Sequence, residues 1–141
     1  MKPLYILVAE DNHADVILFR EALEHHHIEY QLHVVGDGQS ALQFVAQMGS
    51  SPETPCPDLM LLDLNLPKVD GPAILQEFRK HPECAFTPVI VVTSSDAQTD
   101  RAKVAEFQVT RYFRKPSDLD AFMELGRIVK ELFDGQVARP S

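Results

Sequence analysis

Three groups of reactive side chains stand just past apolar runs: Glu10-Asp11, Asp63, and Lys115-Pro116. If those runs are parallel strands, residues far apart in sequence gather at the carboxyl end of one sheet, where open α/β sheets keep their functional crevice. The set is three carboxylates and one ammonium. A carboxylate can attack phosphorus and carry the group as an acyl phosphate. The group in transfer is dianionic, however, and an acidic pocket repels it unless a divalent cation is present. Glu10, Asp11 and Asp63 are the natural source of oxygen ligands for Mg2+, which prefers octahedral geometry, keeps several waters and takes one or two carboxylates plus phosphate oxygens. Lys115 would neutralise charge on the equatorial oxygens, because catalysis of phosphoryl transfer is mostly positioning and electrostatics.

The elements that must position these groups are visible in the hydropathy pattern. Leu4–Ala9, Leu59–Leu62 and Val89–Val92 are continuous apolar runs of the kind that form strands buried on both faces. Gln31–Val35 and Thr110–Phe113 are weaker strand candidates. Helical patterns lie over Asn12–His25, Gly38–Met48, Gly71–Lys80, Ala97–Phe107 and Ser117–Phe133. In the last of these Ser117 is the expected cap, Leu119, Phe122, Leu125, Val129 and Leu132 follow the helical period, and Gly135 is the expected stop. Strand and helix alternate five times, which implies right-handed crossovers and a doubly wound sheet covered by helices on both faces. Gly49–Pro57, rich in proline, reads as a surface loop.

The chain has 141 residues, enough for one domain with a core of ordinary size. Its 13 Lys+Arg against 21 Asp+Glu give a formal net charge of −8, which repels phosphate backbones and anionic lipid. Nucleic acid and membrane are therefore poor partners. No apolar stretch approaches the ~18 residues that span a bilayer. Cys56 and Cys84 lack metal-type spacing, and no signal peptide precedes the first strand, so reduced cytoplasmic thiols are expected.

These residues resemble the receiver domain of bacterial two-component response regulators over essentially the whole chain. That family carries an acidic pair after the first strand, a phosphoacceptor Asp after the third, Thr or Ser after the fourth and Lys-Pro after the fifth. Here they are Glu10-Asp11, Asp63, Thr93 and Lys115-Pro116, with intervals of 30 and 52 residues from Asp63 to Thr93 and Lys115. Asp70-Gly71 after Leu66-Pro67 matches the family's turn into its third helix. The resemblance implies a flavodoxin-like (βα)5 sandwich over residues 1–134, a tail of 135–141 and no output domain. It implies that Asp63 is phosphorylated by a histidine kinase with Mg2+. Asp11 and Asp63 would bind the ion directly, Glu10 through water, and Asn65 through its backbone carbonyl. Thr93 would donate its hydroxyl to the phosphoryl group, Tyr112 would be the aromatic switch, and Pro116 stands where the family carries a cis proline that aims its lysine inward, with the isomer here left open by the sequence. The chain would be a phosphoacceptor rather than an enzyme, beyond slow self-dephosphorylation. Its Leu-Asn-Leu-Pro-Lys segment and long loop before the third strand look like the regulators paired with bacterial phytochromes. A homodimer through the last helix-strand-helix face is a further expectation.

Other readings compete. A haloacid-dehalogenase-type phosphatase also uses a strand-end Asp with magnesium, but places an acid two residues later, where Asn65 has no carboxylic proton. A pseudo-receiver would keep the fold without phosphorylation, yet every site position carries a competent residue type. His25-His26-His27 reads as a cationic helix end, since consecutive helical residues point about 100° apart and cannot chelate together. Gly36-Asp37-Gly38 reads as a helix entrance rather than a nucleotide loop.

Overall fold

The computed structural model describes residues 3–48, 54–64, 66, 71–94 and 98–137, with 98–100 and 134–137 described by backbone alone. Strands β1 (Leu4–Ala9), β2 (Tyr30–Val35), β3 (Leu59–Asp63), β4 (Val89–Thr93) and β5 (Arg111–Arg114) alternate with helices α1 (His13–His25), α2 (Gly38–Gln47), α3 (Gly71–Arg79), α4 (Gln98–Val104), α5 (Leu119–Phe122) and α6 (Glu124–Val137). The strands form one parallel sheet in the order β2-β1-β3-β4-β5. This is the flavodoxin-like doubly wound fold, whose strand order reverses between β1 and β3 and leaves the functional crevice there.

The unbroken apolar runs are explained by burial on both sides. Every residue of β3 and β4 is buried, and successive side chains leave on opposite faces. Leu7, Met60, Leu62 and Val91 pack against Val45 of α2 and Ile74 and Phe78 of α3. Ile6, Val8, Leu61 and Val92 pack against Phe19 and Leu23 of α1 and Leu125 and Val129 of α6. The edge strands β2 and β5 bury fewer residues, which is why their sequence signals are weaker.

Local chemistry sets the helix ends. Asn12 caps α1, its side chain accepting from Ala14 N at 3.0 Å. Asp37 caps α2 by accepting from Ser40 N at 2.7 Å, so Gly36-Asp37-Gly38 is the helix entrance expected. The histidine triplet ends α1: His27 takes a left-handed φ of 57°. Its N–H bonds Glu24 O, and the next N–H bonds Leu23 O, the paired bonds of a Schellman stop.

The C-terminal region departs from expectation. Asp118, rather than Ser117, caps the helix, and the expected Ser117–Phe133 helix is split at Met123. There the carbonyl of Met123 accepts from Gly126 N at 3.0 Å, a tightened turn, and also from His26 Nε2 at 3.1 Å. Leu119 stands exposed, outside the apolar face predicted for it. Gly135 does not stop the helix, which runs to Val137 into the stretch expected as a tail. One mid-helix glycine costs only about 1 kcal/mol and cannot by itself end a helix. The expected fourth helix is shorter too, passing at Ala105 into a 3-10 turn closed by Gln108 at φ 61°.

Cys56 and Cys84, expected as separate thiols, are joined in a disulfide with Cα atoms 5.9 Å apart. The parallel pairing of β3 with β4 sets the segments before both strands side by side, a proximity that spacing 28 residues apart conceals. No helix among the described residues is long and apolar enough to cross a membrane.

Candidate phosphoryl-acceptor site

Strand register explains why the acidic groups meet. Ala9 lies opposite Leu62 and Asp63 opposite Val92, so Glu10, one residue past β1, is level with Asp63 at the end of β3. Thr93 pairs with Arg114 one step further on, and Lys115 N bonds Thr93 O at 2.7 Å. Glu10, Asp63 and Thr93 are the buried polar residues of the described chain, at 2%, 6% and 4% exposure. Asp11 is exposed at the rim.

One oxygen from each of Glu10, Asp11 and Asp63 lies within 4.8 Å of the others, a spacing a single cation could bridge. The donors are all hard oxygens, which suit magnesium, manganese or calcium. Glu10 Oε2 accepts from Asn12 N at 3.1 Å, while buried Oε1 has no aligned hydrogen-bond donor and meets the Lys115 ammonium at 2.7 Å as an ion pair. That oxygen keeps lone pairs for a cation or its water, so the residues fit a divalent ion. Burial pushes the Glu10 carboxyl up to about 7, and the Asp63 carboxylate adds to the rise against the pull of Lys115. For Lys115, burial works to lower the pKa, but hydrogen bonds and charges from Asp15, Glu10 and Asp63 outweigh it and hold the ammonium protonated.

The Lys115 Nζ stands 3.3 Å from Asp63 Oδ2 and 2.7 Å from Asp15 Oδ2. Asp15 was missed in the sequence; its signal was an acidic residue four positions after Asp11, in the first turn of α1. The sequence matches the family model for the response regulator receiver domain over residues 6–126. The chain belongs to that family. Its relatives include the response regulator Rcp1 of Synechocystis sp., 34% identical over 139 residues, 99% of this chain and 95% of that protein. The Mn(2+)-bound form of Rcp1 superposes with a TM-score of 0.80, covering 99% of this chain and 100% of that one. The phosphorylated cyanobacterial phytochrome response regulator RcpA gives a TM-score of 0.82 at 31% identity, covering 99% and 100% of the two chains.

Against the receiver pattern, Glu10, Asp11, Asp63, Thr93 and Lys115 all come together at the carboxyl end of the sheet. Asn65, Pro67 and Asp70 lie outside the described residues. The bond before Pro116, whose isomer the sequence leaves open, is trans, as no cis peptide occurs among the described residues. Tyr112 sits on β5 away from the acidic cluster, its hydroxyl donating to Arg101 O at 3.3 Å and its ring facing the Arg101 guanidinium at 5.0 Å.

Proposed function

We propose that Asp63 accepts a phosphoryl group from a histidine kinase in a magnesium-dependent reaction and that this receiver, acting in the cytoplasm as a single domain, signals by protein contact. The observation that carries the reading is the buried Asp63 carboxylate, with Lys115 Nζ at 3.3 Å and Glu10 and Asp11 beside it. An Asp63 oxygen forms the new bond to phosphorus while the bond from phosphorus to the donor nitrogen breaks, its electron pair leaving with the donor's imidazole. Lys115 balances charge on the phosphoryl oxygens, and the Thr93 hydroxyl donates to them. Asp11 and Asp63, with Glu10 through water and Asn65 through its backbone carbonyl, are the residues that would hold magnesium, which would neutralise charge on the transferring group.

The output route begins at Thr93. Its movement toward the phosphoryl oxygens vacates space into which Tyr112 turns, releasing the Arg101 carbonyl and biasing a pre-existing equilibrium. The face of α4, β5 and the last helical stretch, α5 with α6, then meets a partner or a second copy, through Arg111, Tyr112, Arg114 and Asp118. Pairing with a phytochrome-type kinase is supported by the likeness to the phytochrome response regulator RcpA, and the one-domain organisation by the coverage of Rcp1 and RcpA to nearly full length. We assign no enzymatic turnover beyond slow loss of the group.

Asp63→Asn keeps the polar volume and loses the nucleophilic oxygen. Incubated with acetyl phosphate and run on a phosphate-retaining gel, the parent should shift and the variant should not. Equal retention of both would remove Asp63 from the chemistry. Steady hydrolysis of a generic phosphomonoester would instead favour a phosphatase, and a parent that never shifts would favour a pseudo-receiver.

A further inference from the structure

The receiver chemistry asks Lys115 to serve the Asp63 carboxylate, yet its shorter contacts run elsewhere. Nζ is 2.7 Å from Asp15 Oδ2 and 2.7 Å from Glu10 Oε1, against 3.3 Å to Asp63 Oδ2. Asp15 comes from a different element than the other two. It lies in the first turn of α1, where the positive helix end favours a carboxylate, and its N–H bonds Asn12 O at 3.0 Å. Its side chain is only 16% exposed and that of Lys115 13%, so the pair is poorly screened. The ammonium donates hydrogen bonds to Asp15 and Asp63 and pairs by charge with Glu10, so three acids share one cation. What one acid takes of the lysine's charge is withheld from the others.

We propose that Asp15 is a positioning residue: it draws the Lys115 ammonium toward α1 and thereby weakens its hold on the Glu10 and Asp63 oxygens that a divalent cation would use. Without Asp15 the ammonium is shared by Glu10 and Asp63 alone and competes with the cation for the same lone pairs. The assignment rests on the proposed cation-dependent acceptor site and adds to it a residue that acts only through Lys115.

The test is a cycle of four proteins, the parent, Asp15→Asn, Lys115→Gln and the double variant, each titrated with Mg2+ alone by NMR, with melting curves to verify folding. Asp15→Asn in the parent should weaken cation affinity on the order of tenfold, the size expected for coupled neighbours. In the Lys115→Gln background the same change should cost less than about twofold, because no ammonium remains to be redirected. Asp15→Glu, which keeps a carboxylate on the same turn, should recover most of the affinity. An undiminished affinity in Asp15→Asn, or an equal loss in both backgrounds, would overturn the assignment, the second outcome making Asp15 a direct ligand or a long-range charge. A parent that binds no cation overturns the proposed function and this assignment with it, whereas a parent that binds beside an unaffected Asp15→Asn overturns only the assignment.

Discussion

The Lys115 ammonium lies 3.3 Å from Asp63 Oδ2 across 52 residues of sequence, in contact with a carboxylate cluster that is buried or at the rim. Removing one partner of a buried ionic cluster leaves uncompensated charge, typically costing about 3–5 kcal/mol. Protonation of Glu10 relieves part of this. Lys115→Ala should therefore lower cation-free stability by about 3 kcal/mol, and saturating magnesium should restore much of it. Urea titrations with and without the ion measure both; a variant as stable as the parent in chelator would contradict the ion-pair role.

Glu10 sets a pH dependence. Its carboxyl is raised from 4.5 to about 7 by burial and by Asp63. The fold's preference for protonated Glu10 is fully present below the unfolded value and is lost as pH rises through about 7. In chelator, melting temperature should fall across that window on this group's account. Glu10→Gln should flatten the fall, raise cation-free stability at pH 8 and weaken magnesium binding. Parallel melting profiles for the two proteins from pH 5 to 8 would rule the effect out.

At Gly126 the backbone of α6 lies close against α1. A Cβ there would stand 2.1 Å from the Ala22 carbonyl oxygen and 2.6 Å from the His26 ring. The helix-propensity gain of alanine, about 1 kcal/mol, is smaller than the cost of forcing two backbones apart. Gly126→Ala should destabilise by about 2 kcal/mol net, read from denaturant midpoints. A stabilised variant would show that the helices slide apart freely.

Arg79 ties together the loops at the amino end of the sheet. Its guanidinium donates to the carbonyls of Cys84, Ala85, Thr87, Phe107 and Gln108, at 2.7, 3.3, 2.8, 2.9 and 3.1 Å. Arg79→Met strands several acceptors and should cost about 3 kcal/mol, and Lys should rescue little because it lacks the planar fork. Full rescue by Arg79→Lys in thermal melts would refute the fork geometry as the cause.

The Cys56–Cys84 bond closes a loop of 28 residues, for which chain entropy predicts about 3–4 kcal/mol of stabilisation. Reduction should lower the denaturation midpoint without changing magnesium affinity, since the bond lies at the opposite sheet end from Asp63. Alkylation of both cysteines without prior reduction would show instead that the thiols are free.

The sequence by itself determined the sheet and which reactive residues share its edge. Strands buried on both faces must be apolar throughout, so β1, β3 and β4 declared themselves, and the acids, Thr93 and Lys115 that follow them inherited a common edge. The cap of the last helix was legible in type but not in place, because Ser117 and Asp118 are equally able caps until the backbone angle is known. Only the tertiary structure decided what depends on contact between distant elements. It brought Asp15 of α1 to Lys115, closed Cys56 onto Cys84 across two parallel strands, and broke the last helix at Met123, whose carbonyl also accepts from His26. Hydrophobic periodicity reports which face of an element is buried. It carries no information about which polar atom of another element arrives there, and so these pairings stayed hidden until the helices were packed.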